Sequence, residues 1–442
     1  MAVVATWRLD SRRHRNYPRT RSTSSFDFIL RRIRTLADPT GRAAGHPQGL
    51  IRDGVGSSRI GGPAFAGPTH ALIYFDYNRT TPVASGVLDA MKPFWSTHFM
   101  LPGQEHSGAR AVAEAMEHAR EQVAALVNAE SFEIVFTSGG TEANNLAMMG
   151  HLDLSRPGHV VVSAIEGDAV VAAAEVLASA GFDVQAIGCD ADATIDVDAI
   201  DAAVTPQTQL VCVQLANPIV GSVQPIAEIV RRVSDRAPVH CDATGALGRI
   251  PVDVQSLGVA TLAISGHKFF GPKGSGAVFV RRGVKLNPIH YGVPREMGVR
   301  PGSENVPGCI GLGAAAAMAM RCALEADLGL KDLRDELIIG LCGAMDPAPV
   351  LLASDAPRLP NTIALELPGE SARITAAARQ LVVGTPQCSD PPCAMTRTLS
   401  AMGRTPPQIG RTIHLGLGWA TTRDEIARCV ELLVEGWESV RP

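Results

Sequence analysis

A chain of 442 residues is long enough for two domains and a large core, and its 46% hydrophobic and 19% charged residues are ordinary globular composition. A formal net charge of −4 argues against nucleic acid or an anionic membrane as the main partner. The most apolar long run, GCIGLGAAAAMAM at 308–320, is too short to span a bilayer and reads as a buried helix stopped by Arg321.

Residues 1–70 differ from the rest, with twelve Arg, no Lys and four acidic residues. We read them as a disordered extension. A mitochondrial-type transit peptide is the alternative, because such peptides are Arg- and Ser-rich and poor in acids. The nine Cys are scattered, with no C-x-x-C and no metal-ligand spacing, so they read as reduced core residues of a cytoplasmic protein that holds no metal.

From about residue 130, short β-branched runs alternate with helical stretches. EIVFTS (133–138), HVVVSA (159–164), QLVCVQLA (209–216), APVHCD (237–242), TLAIS (261–265) and GAVFV (276–280) are expected as buried strands. TEANNLAMMGHL, DAVVAAAEVLASAG and IAEIVRRVSDR carry helical spacing with Gly or Pro stops. Such alternation predicts an α/β fold with a mostly parallel sheet covered on both faces, which binds ligands at the carboxyl ends of its strands. KDLRDELIIGLCGAM and TRDEIARCVELLVEGW are cleaner amphipathic helices and predict a smaller α+β domain from 326 to 442. The large domain is expected over 96–325, with 71–95 joining the small one.

Three groups fall at predicted strand ends: FTSGGTE, Asp242 and SGHK. Gly140 and Thr141 open a helix whose free N–H groups and dipole suit a phosphate, although Gly-Gly-Thr is also an ordinary turn and N-cap. SGHK matches the S-x-x-K of serine acyl-enzymes, but Gly271-Pro272 would end the helix which that motif needs. Lys268 is one of only five Lys against thirty-five Arg. A lysine amine can lose its proton and attack a carbonyl, and a guanidinium cannot. A phosphate cradle, a buried carboxylate and a lone Lys are the parts of a pyridoxal 5′-phosphate (PLP) site.

YFDYNRTTPVASGVLDAM (74–91), EIVFTSGGTEANNLAMMG (133–150), HCDATGALGRIPVDV (240–254), SGHKFFGPKGSGAVFVRRG (265–283) and GVRPGSENVP (298–307) together resemble the cysteine desulfurase family. That family belongs to the class V aminotransferases, PLP enzymes of fold type I, and the similarity runs from about residue 72 to the end. It implies a homodimer with a large PLP domain, built on a mostly parallel seven-stranded-type sheet, and a smaller α+β domain.

By this resemblance Lys268 carries the cofactor and Asp242 holds its pyridine nitrogen. The Gly140 backbone, Thr141, Ser265 and His267 bind its phosphate, and Ser303 reaches the phosphate of the other subunit. Cys388 in VVGTPQCSDPPCAMTRTLSAMG (382–403) falls at the family's catalytic loop cysteine, and Cys393 is the competing candidate. Its thiolate would take the sulfur of L-cysteine, leaving alanine and a persulfide for an acceptor such as an iron–sulfur scaffold protein. Asn217 and His414 are assigned to the substrate.

The chain departs from the family at four places. Gly167 replaces the His that stacks on the pyridine ring. Pro218 and Gly245 replace the Asn and Gln that touch the phenolate oxygen. His414 replaces the Arg that grips the substrate carboxylate, for which a protonated His is a partial substitute. The leading reading is a cysteine desulfurase. Another PLP lyase or transaminase of this fold, and a weakly catalytic dimeric scaffold, are the alternatives.

Overall fold

The computed structural model describes residues 72–386 and 392–441, and of 322–328 the backbone alone. The expectations placed on residues 1–70 and on Cys388 lie outside the described residues.

In chain order the strands are β1 (Ile73–Tyr74), β2 (Ile134–Thr137), β3 (His159–Ser163), β4 (Asp183–Ile187), β5 (Thr208–Cys212), β6 (Val239–Asp242), β7 (Thr261–Ser265), β8 (Gly276–Val280), β9 (Val350–Leu351), β10 (Thr362–Glu366), β11 (Leu381–Val382) and β12 (Thr412–Gly416). The helices that matter for the site and its frame are α1 (Ser85–Met91), α2 (Ser107–Leu126), α3 (Gly140–His151), α4 (Asp168–Ser179), α5 (Ile226–Val233), α6 (Val306–Ala344), α7 (Ala394–Ala401) and α8 (Arg423–Val440).

Seven strands form the central sheet in the order β2-β8-β7-β6-β5-β3-β4. Only β8 runs against its neighbours, pairing antiparallel with both β2 and β7. The carboxyl ends of β2, β6 and β7 therefore share one edge of the sheet. β-Branched and other apolar side chains alternate across it. Val160, Val162, Leu210 and Cys212 join a core with Val170, Ala173 and Leu177 of α4. Val161, Val211, Leu262 and Ile264 turn the other way, toward Val112 and Met116 of α2, Ile229 of α5 and Leu312 of α6. β4 is an edge strand whose side chains alternate in exposure, unlike the buried runs beside it.

A second core gathers Phe75, Leu337, Leu341, Ile363, Leu365, Ile413, Leu415, Leu433 and Trp437. Its antiparallel sheet has the order β12-β10-β9. β1 pairs in parallel with β11, and Asp76 bridges to Gly416, so the start of the described chain is stitched into its end. α8 begins with a reciprocal capping box between Thr422 and Glu425.

The helix expected to stop at Arg321 does not stop there. α6 continues to Ala344. Arg, Ala, Leu, Glu and Lys all favour helix, so Arg321 ends only the apolar run. The front of α6 packs on α1 and α2, and it also packs on α8, so the backbone is continuous across the boundary expected at 325. No helix among the described residues is long and apolar enough to cross a membrane.

Candidate active site

The cradle follows β2. Gly139 adopts φ +151°, a conformation that side chains disfavour, and α3 begins at once at Gly140. A Cβ on Gly140 would lie 2.9 Å from Thr244 Cγ2 and 3.2 Å from Ser265 Cβ. Glycine thus lets the helix N-terminus approach the ends of β6 and β7. The cleft here has a volume of about 360 Å³, and Gly140, Thr141, Ser265 and His267 all line it. His267 Nδ1 pairs with Thr80 Oγ1 at 3.0 Å. Burial, aided by Lys268 and Lys273, pulls its pKa down to about 4, so it offers this site a neutral ring.

Lys268 sits in a short 3-10 turn after β7 and donates from Nζ to the carbonyl of Asn78 at 2.7 Å. Burial first, then the Arg249 guanidinium, bring its pKa down from 10.5 to about 8. An amine so placed is far easier to deprotonate than a surface lysine. Asp242 ends β6, with Oδ1 accepting from Thr244 N at 2.8 Å and Oδ2 from Asn144 Nδ2 at 2.9 Å. Behind it runs a buried relay. Asn144 Oδ1 faces His240 Nε2 at 2.8 Å, and His240 Nδ1 faces Thr261 Oγ1 at 2.9 Å. Since Asn144 spends its amide on Asp242, its oxygen accepts from His240, which burial holds neutral with a pKa of about 3. Asn144 and His240 lie within the quoted motifs, yet only burial and pairing reveal them as the support of Asp242.

A further buried carboxyl stands beside this group. Glu166 Oε1 accepts from Ser163 Oγ and from Gln214 N (2.7 Å), while Oε2 has no hydrogen-bond partner among the described residues. Burial chiefly, with some repulsion from Asp242, raises its pKa from 4.5 to about 8. Next in sequence, a Cβ on Gly167 would have, among the described residues, only Asp242 Oδ2 within 4 Å, at 3.7 Å. Space is therefore open over Asp242. An N–H cradle, a buried low-pKa amine and a carboxylate facing that space suit the phosphate, aldehyde and ring nitrogen of PLP, so the residues present fit the cofactor.

The side chains assigned to the substrate are already engaged. Asn217 donates to Ile165 O at 3.3 Å and Thr398 Oγ1 at 3.1 Å, and its oxygen accepts from Ile219 N and Val220 N at 2.9 and 3.1 Å. It organises its own loop. His414 is buried in β12 with Nδ1 on the carbonyl of Ile219 at 2.7 Å, and burial lowers its pKa to about 4. A neutral ring that donates from Nδ1 leaves a lone pair on Nε2, so His414 in this state presents no positive charge, and the partial substitution expected of it when protonated works against its burial. Gly245 and Pro218 go together. A Cβ at 245 would come within 2.7 Å of Ala216 O and 3.5 Å of Pro218 Cδ.

Ser303 is exposed. Cys393 is the N-cap residue of α7, with Sγ 3.4 Å from Thr396 Oγ1. Arg397 of the same helix donates to Pro392 O at 2.6 Å, to Asp168 at 2.6 Å and to Glu166 O at 3.4 Å. These bonds moor the far end of the Cys388 segment beside Gly167.

The Aminotransferase class-V family model matches residues 73–378. Cysteine desulfurase IscS 1 of Archaeoglobus fulgidus is 37% identical over 378 residues, which cover 84% of this chain and 98% of that one. Cysteine desulfurase IscS of Dictyoglomus turgidum is 35% identical over 379 residues, covering 84% and 95%. Among solved structures, a NifS-like protein matches with a TM-score of 0.78 at 28% identity, over 84% of this chain and 100% of its own. A structure described as SspA in complex with cysteine matches with a TM-score of 0.69 at 30% identity, over 79% and 99%.

Proposed function

The chain belongs to the class V aminotransferase family of PLP enzymes and to the cysteine desulfurases within it, and on that premise we propose how its own residues do the work. The reaction takes L-cysteine to L-alanine and leaves the sulfur for an acceptor. The observation that carries the assignment of roles is the convergence of the Gly140 cradle, Asp242 and Lys268 at one edge of the sheet.

When bound, PLP supplies a sink for the electrons released at the substrate carbon. Gly140, Thr141, Ser265 and His267 hold its phosphate, and Asp242, steadied by Asn144, holds its ring nitrogen. Lys268 would carry the cofactor, and its amine, with a pKa of about 8, suits moving the substrate's proton. The Cys388 thiolate attacks the sulfur of the substrate. The substrate's Cβ–S bond breaks, a new S–S bond forms on Cys388, and the carbon skeleton takes up a proton to leave as alanine. Cys388 lies four positions before Pro392, at most roughly 14 Å along an extended chain from that moored point.

The enzyme works as a homodimer in the cytoplasm, supplying an acceptor such as an iron–sulfur scaffold protein. Exposed Ser303 then completes the partner's phosphate site. Support for a partner surface comes from Phe99 and Leu101, and from Tyr291, Val293 and Met297, all exposed. Their segments adjoin, since a Cβ on Gly103 would lie 3.1 Å from Arg295 Nη1. The described cysteines are free thiols, in keeping with a reducing compartment.

The test is to purify the protein with PLP, supply L-cysteine, and measure alanine and sulfide together. Borohydride should fix the cofactor on the peptide containing Lys268. Failure to form alanine, or cofactor colour unchanged in Lys268→Ala, would defeat the assignment.

A further inference from the structure

A desulfurase must hold the carboxylate of its amino-acid substrate, and the residue expected to do so, at position 414, is here a buried neutral histidine. The charge has to come from elsewhere. Lys268 is committed to the cofactor. Arg249 is buried, with its nitrogens on Asn78 Oδ1 and on the carbonyls of Tyr77, Gly245 and Leu247. Arg397 is spent on Pro392 and Asp168.

Arg79 is different. Its two chain neighbours are both bonded to the catalytic turn: Asn78 O accepts from Lys268 Nζ at 2.7 Å, and Thr80 Oγ1 pairs with His267 Nδ1 at 3.0 Å. The Arg79 backbone is thus pinned between the cofactor-carrying amine and the phosphate-side histidine, and its side chain lines the same cleft. That side chain is 69% exposed, and among the described residues its one ion pair runs from Nε to Asp76 at 3.3 Å. Among the described residues its two Nη atoms make no hydrogen bond, so the end of the guanidinium fork is free for a bidentate ligand. Its charge acts on both Lys268 and His414, so both lie within its electrostatic reach.

We propose that Arg79 grips the substrate carboxylate, doing from the N-terminal segment what residue 414 does elsewhere in the family. A guanidinium fork matches a carboxylate in geometry and charge whichever element delivers it. This inference rests on the desulfurase reading and assigns one of its binding contacts.

The experiment compares PLP-loaded wild type, Arg79→Gln and Arg79→Lys by spectral titration with L-alanine and cysteamine, and by KM and kcat for L-cysteine. Retention of PLP on dialysis is measured in parallel. Arg79→Gln should weaken L-alanine binding and raise KM for L-cysteine ten- to a hundredfold. It should leave kcat within about threefold, cysteamine affinity unchanged, and PLP bound as in wild type. Arg79→Lys should fall between the two. Unchanged KM and alanine affinity in Arg79→Gln would overturn the proposal. So would equal losses for alanine and cysteamine, or loss of PLP, which would mark Arg79 as a cofactor or structural residue. A wild type with no spectral response to L-cysteine would defeat the desulfurase reading and this inference with it.

Discussion

Lys268 Nζ donates a 2.7 Å hydrogen bond to the backbone carbonyl of Asn78, a residue 190 positions earlier in the chain. A carbonyl accepts from the amine in either protonation state and lends it no charge. It therefore orients Lys268 without undoing the lowering of its pKa by burial and Arg249.

The first prediction concerns that amine. Only its deprotonated form condenses with an aldehyde. PLP uptake by the cofactor-free protein should therefore speed up about tenfold per pH unit below the Lys268 pKa and level off above about 8. Stopped-flow absorbance between pH 6.5 and 9.5 reads this directly. A rate still climbing steeply at pH 9.5 would mean an ordinary lysine.

Gly167→His should fold as the wild type does, because among the described residues a Cβ there has only Asp242 Oδ2 within 4 Å and the backbone φ is −66°. A ring over that space can stack on the cofactor, an interaction worth about 0.5–1.5 kcal/mol. PLP should bind roughly two- to tenfold more tightly, as measured by equilibrium dialysis. Weaker retention with unchanged Tm would show that the space does not lie over the ring.

Glu166 predicts a pH effect on stability. Its carboxyl titrates near 8 in the folded protein and near 4.5 when exposed, so the folded state binds the extra proton between those values. Its stabilising contribution is full below about 4.5 and is lost as pH rises toward 8. Glu166→Gln removes the titration. In urea melts the variant should gain on the wild type between pH 5 and pH 8, and parallel curves would refute the assignment.

Cys388→Ser should abolish sulfide release with PLP still bound, whereas Cys393→Ser should change it little. Cys393 is an N-cap residue with its thiol against Thr396, a structural setting. Mass spectrometry after one turnover should find the persulfide on the peptide containing Cys388. Finding it on Cys393 instead would reassign the nucleophile.

Much of the frame was legible in the sequence. TLAIS and GAVFV fall on β7 and β8 residue for residue, since runs buried on both faces need no alternation to be read. β4 was not foreseen, because its edge position leaves an alternating, half-polar string that does not stand out among apolar runs. In the site, Lys268, Asp242 and the Gly140 cradle could be read from motifs at strand ends. The direction of a side chain could not. Asn217 and His414 look available in sequence, and only the paired loop carbonyls and amides reveal that both amide atoms of Asn217, and Nδ1 of His414, are taken. Arg79, inside YFDYNRTT, looks like one more surface arginine until its neighbours are found bonded to Lys268 and His267.

The pairing of β1 with β11 sets when, during synthesis, this site comes into being. Ile73 and Tyr74 leave the ribosome early, yet their strand partners Leu381 and Val382 follow about 300 residues later. Asn78 waits equally for Thr362 and Asn361, which fix its side chain. At about 5–20 residues per second, that interval is roughly 15–60 s. The seven strands of the central sheet are complete by Val280, so the cradle and Asp242 can assemble while the chain is still growing. The side chain of Asn78, whose carbonyl orients Lys268, is fixed only after the C-terminal strands are made, so a nascent chain carries an unfinished site.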